Sequence, residues 1–195
     1  GLYWMWNKNR IVDGANDNLS GCYMGIAVLK ALHDQGITLE NTEVGVILSG
    51  SEEAGLRGCK SWAKNHYDEY VNSGVETVVL CVDTLTDREY LRVYNKDMTG
   101  TVKNNQQFSQ LVMNASKDAG HDDIELSSVF FGSSDAAAFS QAGITATCLA
   151  AMDPRPADYY HNRRDTADRL VPETIKTGFD VIISTILNFD EKGLN

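Results

Sequence analysis

Two adjacent glutamates, Glu52 and Glu53, follow a short apolar run over residues 43–48. The run is partly β-branched and stops at Ser49-Gly50, a pattern that predicts a core strand ending in a loop. Neighbouring side chains at a strand end point in different directions, so the two carboxylates are not expected to share one ion. One could bind a metal while the other transfers protons. A solvated acidic helix start explains the pair equally well.

Three further polar groups fall where predicted elements end. Asp17 precedes the first helix, where a carboxylate either caps the helix or reaches a ligand. Asp83 closes an apolar run, as an ordinary strand terminus also would. His161 lies in a late loop, where a histidine is most often polar surface. Taken together with the glutamates, these are the ligand types that bind zinc while leaving a position open for water.

Alternating patterns along the chain predict an α/β fold. Helices are predicted over about 20–35, after Gly55, over about 104–119, over 134–141 and from Pro172 onward; strands are predicted over 43–48, 75–82, 90–94, 124–131 and 144–149. The strand over 90–94 is expected to be the more exposed one. The alternation predicts a three-layer sandwich, with a mixed, mostly parallel central sheet flanked by helices. The polar groups then lie at strand ends and in loops, where such sheets bind ligands.

Apolar spacing predicts which side chains are buried. The first helix places Met24, Val28, Leu29 and Leu32 on its inner face, and the last helix carries one apolar stripe from Ile175 to Leu187. Gly58 is a weak position in the second helix, because glycine disfavours helical backbone. Cys81 and Cys148 fall inside predicted strands and are expected to be buried thiols.

Composition excludes several classes of function. The 195 residues include 27 acidic and 17 basic ones, for a formal charge of -10, which opposes a nucleic-acid partner bound through its phosphates. The length suits one domain with a substantial core. No apolar run reaches the roughly 18 residues of a membrane span. The four cysteines contain no Cys-x-x-Cys pair, so neither a thiolate zinc motif nor a dense disulfide framework is expected.

The ordered motifs resemble those of the co-catalytic dizinc aminopeptidases, which include bacterial leucyl aminopeptidases and, more distantly, glutamate carboxypeptidase. The matching segments are 14–21, 51–58, Val82-Asp83, Ser134-Asp135, Tyr160-His161 and Asp165-Thr166. Any one motif is weak, but their ordered combination over nearly the whole chain is specific. The resemblance implies the zinc exopeptidase fold in a single catalytic domain, 1–195, which is expected to be incomplete at its N-terminus.

The resemblance also implies a set of metal ligands. Asp17 corresponds to the carboxylate that bridges two zinc ions, and Glu53 and His161 correspond to the other ligands of one zinc. Asp83 corresponds to a ligand of the second zinc. Cysteine takes no part in this set.

Catalytic roles follow from the same resemblance. Glu52 resembles the general base that takes a proton from the metal-bound water and later delivers it to the leaving amine. Tyr160 resembles a group that stabilises the tetrahedral oxyanion. Asp135 and Asp165 are interpreted as carboxylates that orient metal-bound imidazoles or cap backbone, and for Asp135 a helix N-cap is at least as good an interpretation.

One family feature is absent from the sequence. The second zinc site of the family includes a histidine upstream of the bridging aspartate, and residues 1–16 contain none. His33, His66 and His121 fall in the wrong places and are expected at the surface. Either the sequence begins downstream of that histidine, which we favour, or a ligand has been lost. Two zinc ions are expected if the histidine exists, and otherwise one, bound by Asp17, Glu53 and His161.

The function implied is a zinc-dependent exopeptidase, namely an aminopeptidase that removes N-terminal residues from peptides through a metal-activated water. One alternative is a glutaminyl cyclase-like enzyme with a single zinc, and another is a non-catalytic binding domain with an incomplete metal site. Retention of Asp17 together with Glu52 and Glu53 favours hydrolysis. The expected partner is a peptide substrate. The resemblance favours a secreted or cell-envelope protein and leaves the cytoplasm open.

Substrate preference has only weak signals in the sequence. Candidate pocket-wall residues are Met98, Phe131, Met152 and Tyr159, each of which ordinary packing would also explain. A carboxypeptidase would need a cation for the terminal carboxylate of its substrate. Residues that keep that option open are Arg155, Arg163 and Arg164.

Overall fold

The computed structural model describes residues 11–155 and 157–194. Its strands are β1 (Val78–Asp83), β2 (Leu91–Asp97), β3 (Val102–Lys103), β4 (Leu126–Ser128) and β5 (Thr145–Ala151). Its α-helices are α1 (Ser20–Asp34), α2 (Arg57–Tyr70), α3 (Gln106–Asp118), α4 (Asp135–Gln141) and α5 (Pro172–Lys192). A π-helical turn, Ala15–Leu19, precedes α1, and short 3-10 turns span Arg88–Tyr90 and Ala167–Arg169.

The strands form one mixed sheet in the order β1-β5-β2-β3, with β4 paired to β2. β1 and β5 run parallel, with Cys81 opposite Cys148, and β2 runs parallel to β4. β2 pairs antiparallel with both β5 and β3. Asp83 is the last residue of β1, so its carboxylate stands at the carboxyl end of that strand.

Helices cover both faces of the sheet, which confirms the predicted three-layer α/β fold. On one face, α1, α3 and α5 contribute Met24, Val28, Leu32, Phe108, Val112, Val181 and Ile182 to a core with Leu91, Val93 and Leu149 of the sheet. On the other face, α2 and α4 contribute Cys59, Ala63 and Phe139, which pack against Tyr94, Ala146 and Cys148. The small side chains of α4 allow that short helix to lie close to β5.

The segment 43–48 does not form the core strand that its sequence predicts. It has no strand assignment, and Val46, Ile47 and Leu48 are 37%, 40% and 57% exposed. Val44 reaches the core, and Val46 packs close to Gly25 of α1. An extended segment becomes a strand only when a neighbour completes its hydrogen bonds, and the described residues supply no such neighbour here.

Three other sequence predictions are corrected by the structure. The strand predicted at 90–94 is interior instead of exposed, because β2 pairs on both sides; Tyr94 is only 3% exposed. The strand predicted over 124–131 is shorter, and Phe130 and Phe131 lie exposed in the loop after it. Leu29 of α1 is 37% exposed, because α1 buries a stripe narrower than its apolar pattern.

The remaining cysteine and histidine predictions have mixed outcomes. Cys148 is fully buried and Cys81 half-buried, and both are free thiols. His33 is exposed, as expected. His66 instead stacks on Trp62, and the half-buried His121 lies 3.5 Å from Asp180, so neither is plain surface. Across the part of the chain described, no helix combines the length and apolarity that crossing a membrane requires.

Candidate metal centre

Asp17 is positioned by hydrogen bonds that hold the backbone of its turn. Asp165, which is 2% exposed, accepts hydrogen bonds from the amides of Asn16 (2.8 Å) and Asp17 (3.0 Å). On the other side, the Asn18 side chain donates to the Val82 carbonyl at 2.9 Å. These bonds attach the turn before α1 both to the loop that follows His161 and to the end of β1. Of the two roles predicted for Asp165, orienting an imidazole or capping backbone, the structure shows the second, because its carboxylate binds the backbone of the Asp17 turn.

The two glutamates lie in a tight loop that leads into α2. The amides of Gly55 and Leu56 donate to the Glu52 carbonyl at 2.9 and 2.7 Å. Gly58 donates its amide to Gly50 at 3.0 Å, and a Cβ at Gly58 would overlap the Gly50 backbone. Glycine is therefore needed at this position for close backbone packing. The sequence pattern indicates only that glycine weakens the helix there.

Three side chains from distant parts of the chain converge. His161 Nε2 lies 2.7 Å from Glu53 Oε1 and 3.1 Å from Asp17 Oδ2. One ligand atom from each of the three residues lies within 4.8 Å of the others, which is the spacing of a metal-binding group. The Tyr160 ring stacks on the imidazole, with centroids 3.7 Å apart. The donor set of two carboxylates and one imidazole fits zinc and leaves a coordination position free.

The pKa values of the cluster reflect crowded negative charge. Burial lowers the pKa of His161, but its hydrogen bonds to Asp17 and Glu53 outweigh burial and raise that pKa to about 10. Burial, with the nearby charges of Glu53 and Asp135, raises the pKa of Glu52 to about 8. Burial next to Asp17 also holds the pKa of Asp83 well above its usual range. A cation at this position would relieve the repulsion between these carboxylates.

Asp83 lies beside the three-residue cluster, outside it. Its Oδ1 atom is buried without a hydrogen-bond partner in the described residues, and an orphaned carboxylate oxygen is costly unless a cation or water satisfies it. Asp83 lines the same cavity as Asp17, Glu52 and His161. It is therefore available as a partner for a cation held in that cavity. The donor chemistry and the unsatisfied oxygen both fit a metal ion.

The helix N-cap interpretation of Asp135 is wrong. Ser134 is the N-cap of α4, since its side chain accepts from the Ala136 amide, and Ser134 is itself held by Asp97. Asp135 is the first helical residue and accepts a 2.6 Å hydrogen bond from Ser49, in the loop that carries the glutamates. Its other oxygen is buried without a partner in the described residues. Asp135 therefore links α4 to the Glu52 loop.

These groups surround a cavity of about 350 Å³. The predicted wall residues Phe131, Met152 and Tyr159 and the predicted catalytic residues Glu52 and Tyr160 all line it. Met98 does not line it, and neither do Arg155, Arg163 and Arg164. Arg164 instead binds Asp158 at 3.1 Å on the surface.

Sequence reasoning missed two carboxylates and an amide in this cavity. Asp87 and Asp153 line it, and the hydroxyl of Tyr159 donates to Asp87. Asn16 is 1% exposed; its side chain accepts from the Thr86 amide and donates to Tyr159. The only sequence signal was the position of Asp87 and Asp153 just after predicted strands, which is shared by many surface residues.

The fold and the site define a class: an α/β protein with a carboxylate and imidazole cluster of metal-binding type at the ends of its strands. The family model for Peptidase family M28 matches residues 5–186, and the chain belongs to that family. Comparison with curated protein sequences found no match.

Solved structures share this fold. LapB from Legionella pneumophila superposes with a TM-score of 0.78 at 17% identity, over 94% of this chain and 48% of that one. BSAP, a zinc aminopeptidase from Bacillus subtilis, has a TM-score of 0.70 at 23% identity, over 90% of this chain and 42% of that one. A glutaminyl cyclase from an Acidobacteriales bacterium has a TM-score of 0.69 at 18% identity, over 92% and 63%. The chain thus spans about half the length of the first two.

Proposed function

We propose that the protein is a zinc-dependent exopeptidase that removes N-terminal residues from peptides. The observation that carries the proposal is the convergence of Asp17, Glu53 and His161, with ligand atoms within 4.8 Å of one another, in a cavity that Glu52 also lines. Membership of Peptidase family M28 supports the peptidase activity, and the similarity to BSAP supports the aminopeptidase type.

Zinc is the proposed cofactor. Asp17, Glu53 and His161 would bind one ion, and Asp83 together with Asp17 would contribute to another. A second ion would need a further ligand, such as the upstream histidine expected from the family resemblance. Zinc bound in this cavity supplies Lewis acidity and lowers the pKa of water from about 15.7 to about 7.

The residues around the ion divide the chemical work. Glu52 takes the proton of the attacking water and passes it to the leaving amine. Its pKa is raised to about 8 without metal, and a bound cation would lower it and so favour the ionised carboxylate that accepts the proton. Tyr160, half-buried over His161, keeps its hydroxyl proton because burial raises its pKa, and it donates a hydrogen bond to the developing oxyanion. Asp135 and Ser49 hold the loop that presents Glu52.

The charge of the cavity favours a free amine over a free carboxylate. Six carboxylates line it, and its described lining contains no lysine or arginine. Four of the six belong to the proposed metal and proton-transfer groups, which leaves Asp87 and Asp153 to attract the α-ammonium of a peptide. A carboxypeptidase would instead need a cation to bind the substrate's terminal carboxylate.

A second candidate is a single-zinc cyclase that closes an N-terminal glutamine into a ring. The observation in its favour is that the compact cluster contains three ligands, sufficient for one ion, with Asp83 outside it. The similarity to a glutaminyl cyclase gives the same support at the level of the fold. This enzyme would also require a free N-terminal amine.

The test compares the adjacent variants Glu52→Gln and Glu53→Gln after zinc loading. Glu52→Gln is expected to keep its zinc and to lose about 10²- to 10⁴-fold in kcat on aminoacyl amides. Glu53→Gln is expected to lose bound zinc, as measured by elemental analysis. N-acetylated amides should be poor substrates, and a glutaminyl peptide separates hydrolysis from cyclisation by mass spectrometry. Zinc-loaded protein that turns over none of these substrates would refute the enzyme hypothesis.

A further inference from the structure

A second cavity, of about 280 Å³, adjoins the one described above. Phe131, Met152 and Asp153 line both cavities, so the two are neighbours across a shared wall. The second cavity extends from that wall towards Arg92 on β2 and Ser128 on β4. A group bound there could belong to the same substrate molecule that occupies the catalytic cavity.

Arg92 is the one arginine or lysine side chain in the described lining of either cavity. It is half-buried and donates a 2.8 Å hydrogen bond from Nη1 to the Leu91 carbonyl. The arginine ion pairs of the described residues are made by other side chains, Arg88, Arg164 and Arg169. A guanidinium has five N–H donors in a planar fork, so most of the hydrogen-bonding capacity of Arg92 remains available.

The surroundings of Arg92 suit a side chain that is apolar along its length and anionic at its tip. Phe130 and Phe131 are 69% and 54% exposed at the cavity wall and offer aromatic surface for methylene groups. Ser127 and Ser128 add polar side chains to the same lining. A carboxylate is the natural partner of an arginine fork, because two parallel hydrogen bonds can form between them.

Asp153 sets the orientation of such a substrate. Asp153 lines the shared wall, and its Oδ1 accepts a 2.7 Å hydrogen bond from the Arg155 amide. A negative wall repels a carboxylate and attracts an ammonium group. A peptide with its amine near Asp153 and its acidic side chain near Arg92 satisfies both charges, whereas the reversed orientation satisfies neither.

We propose that the cavity around Arg92 is a specificity subsite for an acidic side chain next to the scissile bond of the peptide substrate. This proposal rests on the proposed peptidase function. It adds that glutamyl or aspartyl residues are preferred over glutaminyl or asparaginyl residues. The strongly acidic catalytic cavity alone would not give this preference.

The test measures kcat/KM on matched peptides for the zinc-loaded wild type, Arg92→Gln, Arg92→Lys and Lys96→Gln. The peptides carry Glu or Gln at the first position, or Glu or Gln at the second, and are otherwise identical. The readout is the Glu/Gln ratio within each variant, so a general loss of activity or folding cancels. Lys96 is exposed on the same strand and lines neither cavity, so Lys96→Gln controls for the loss of one positive charge.

The expected result is a Glu/Gln ratio above one in the wild type that falls about tenfold in Arg92→Gln, is partly retained in Arg92→Lys, and is unchanged in Lys96→Gln. The position that shows the effect assigns the subsite to the first or the second residue. Equal ratios in the wild type and Arg92→Gln at both positions would overturn the proposal.

Failure of the proposed function is distinguishable. If the wild type cleaves no peptide, the subsite is tested by calorimetric titration with the same Glu and Gln peptides. Tighter binding of the Glu peptide by the wild type than by Arg92→Gln would keep the subsite without the peptidase function. Equal binding would reject the subsite as well.

Discussion

The carboxylate of Asp165 holds the backbone of Asp17, 148 residues earlier in the chain, through a 3.0 Å hydrogen bond to its amide. The second oxygen of Asp165 accepts from Asn16, so one buried carboxylate fixes two consecutive peptide groups. The loop that carries His161 is thereby tied to the turn that carries Asp17. Two of the three proposed ligands of one metal ion are thus positioned by a residue outside the cluster.

Replacing Asp165 by Asn should weaken zinc binding. The variant loses the negative charge and one of the two acceptor oxygens, so one amide of the Asp17 turn is left without a partner. We expect zinc affinity to fall about 10- to 100-fold, the usual range when a residue that supports a metal ligand is changed. Competition with a fluorescent chelator measures the affinity. The matched control is Asp168→Asn, an exposed aspartate of the same loop, which should bind zinc like the wild type.

Zinc binding should release protons near neutral pH. In the zinc-free protein the pKa of His161 is about 10, so its imidazole is protonated at pH 7, whereas zinc binds the neutral ring. Affinity should therefore rise with pH and level off once pH exceeds the pKa of His161. Asp83, whose pKa is also raised, would add to the release if it binds the ion.

Calorimetry in buffers of different ionisation enthalpy counts these protons. His161→Gln should bind zinc weakly, and His33→Gln, which changes an exposed histidine, should behave like the wild type. Binding at pH 6 with no net proton release would contradict the proposed role of His161.

Sequence patterns predicted the layers of the fold better than the details of its sheet. Residue spacing identified the helices and the strand that ends at Asp83, because burial of one helical face leaves a periodic signal. It failed for 43–48, since apolar character indicates that a segment can be buried but not which neighbour pairs with it. Spacing found the strand β2 but not its burial, since its interior position depends on pairing with three other strands.

The candidate site shows the same division. Asp17, Glu53 and His161 were named from their types and order along the chain, and their roles as ligands remain predictions. Asp165 was named as a supporting carboxylate, but the two amides that it binds were not. The link from Ser49 to Asp135 and the lining by Asp87 and Arg92 depend on contacts between distant segments. Single polar residues of this kind carry no periodic pattern, so they could not be distinguished from ordinary surface residues.

Replacing Gly58 by Ala should disrupt the loop that carries the two glutamates. The added methyl group would overlap the Gly50 carbonyl, which is backbone and cannot turn away as a side chain could. We expect a loss of about 1–3 kcal/mol in the free energy of unfolding, from strain in a packed region. Zinc affinity should fall as well, because Glu53 moves with the loop. Chemical denaturation and chelator competition measure the two effects.

Gly36→Ala is a useful comparison, because Gly36 has open space around its Cβ position but a φ of 62°. It should cost stability through backbone strain alone and leave zinc affinity unchanged. Equal zinc affinity in Gly58→Ala and the wild type would show that the glutamate loop tolerates displacement.

Replacing Tyr94 by Phe should loosen the wall between the two cavities. The Tyr94 hydroxyl, almost fully buried, donates to the Met152 carbonyl at 3.2 Å and accepts from the Met152 amide at 3.3 Å. Removing it takes a partner from two partly buried backbone groups of Met152, and we expect a loss of about 1 kcal/mol in the free energy of unfolding. Since Met152 and Asp153 line both cavities, we also expect KM for peptides to rise more than kcat falls.

Tyr23→Phe, at a tyrosine that is 67% exposed, should change neither stability nor KM. A Tyr94→Phe variant with reduced stability but wild-type KM would contradict this prediction. Met152 would then be positioned without this hydroxyl, and packing alone would position the shared wall.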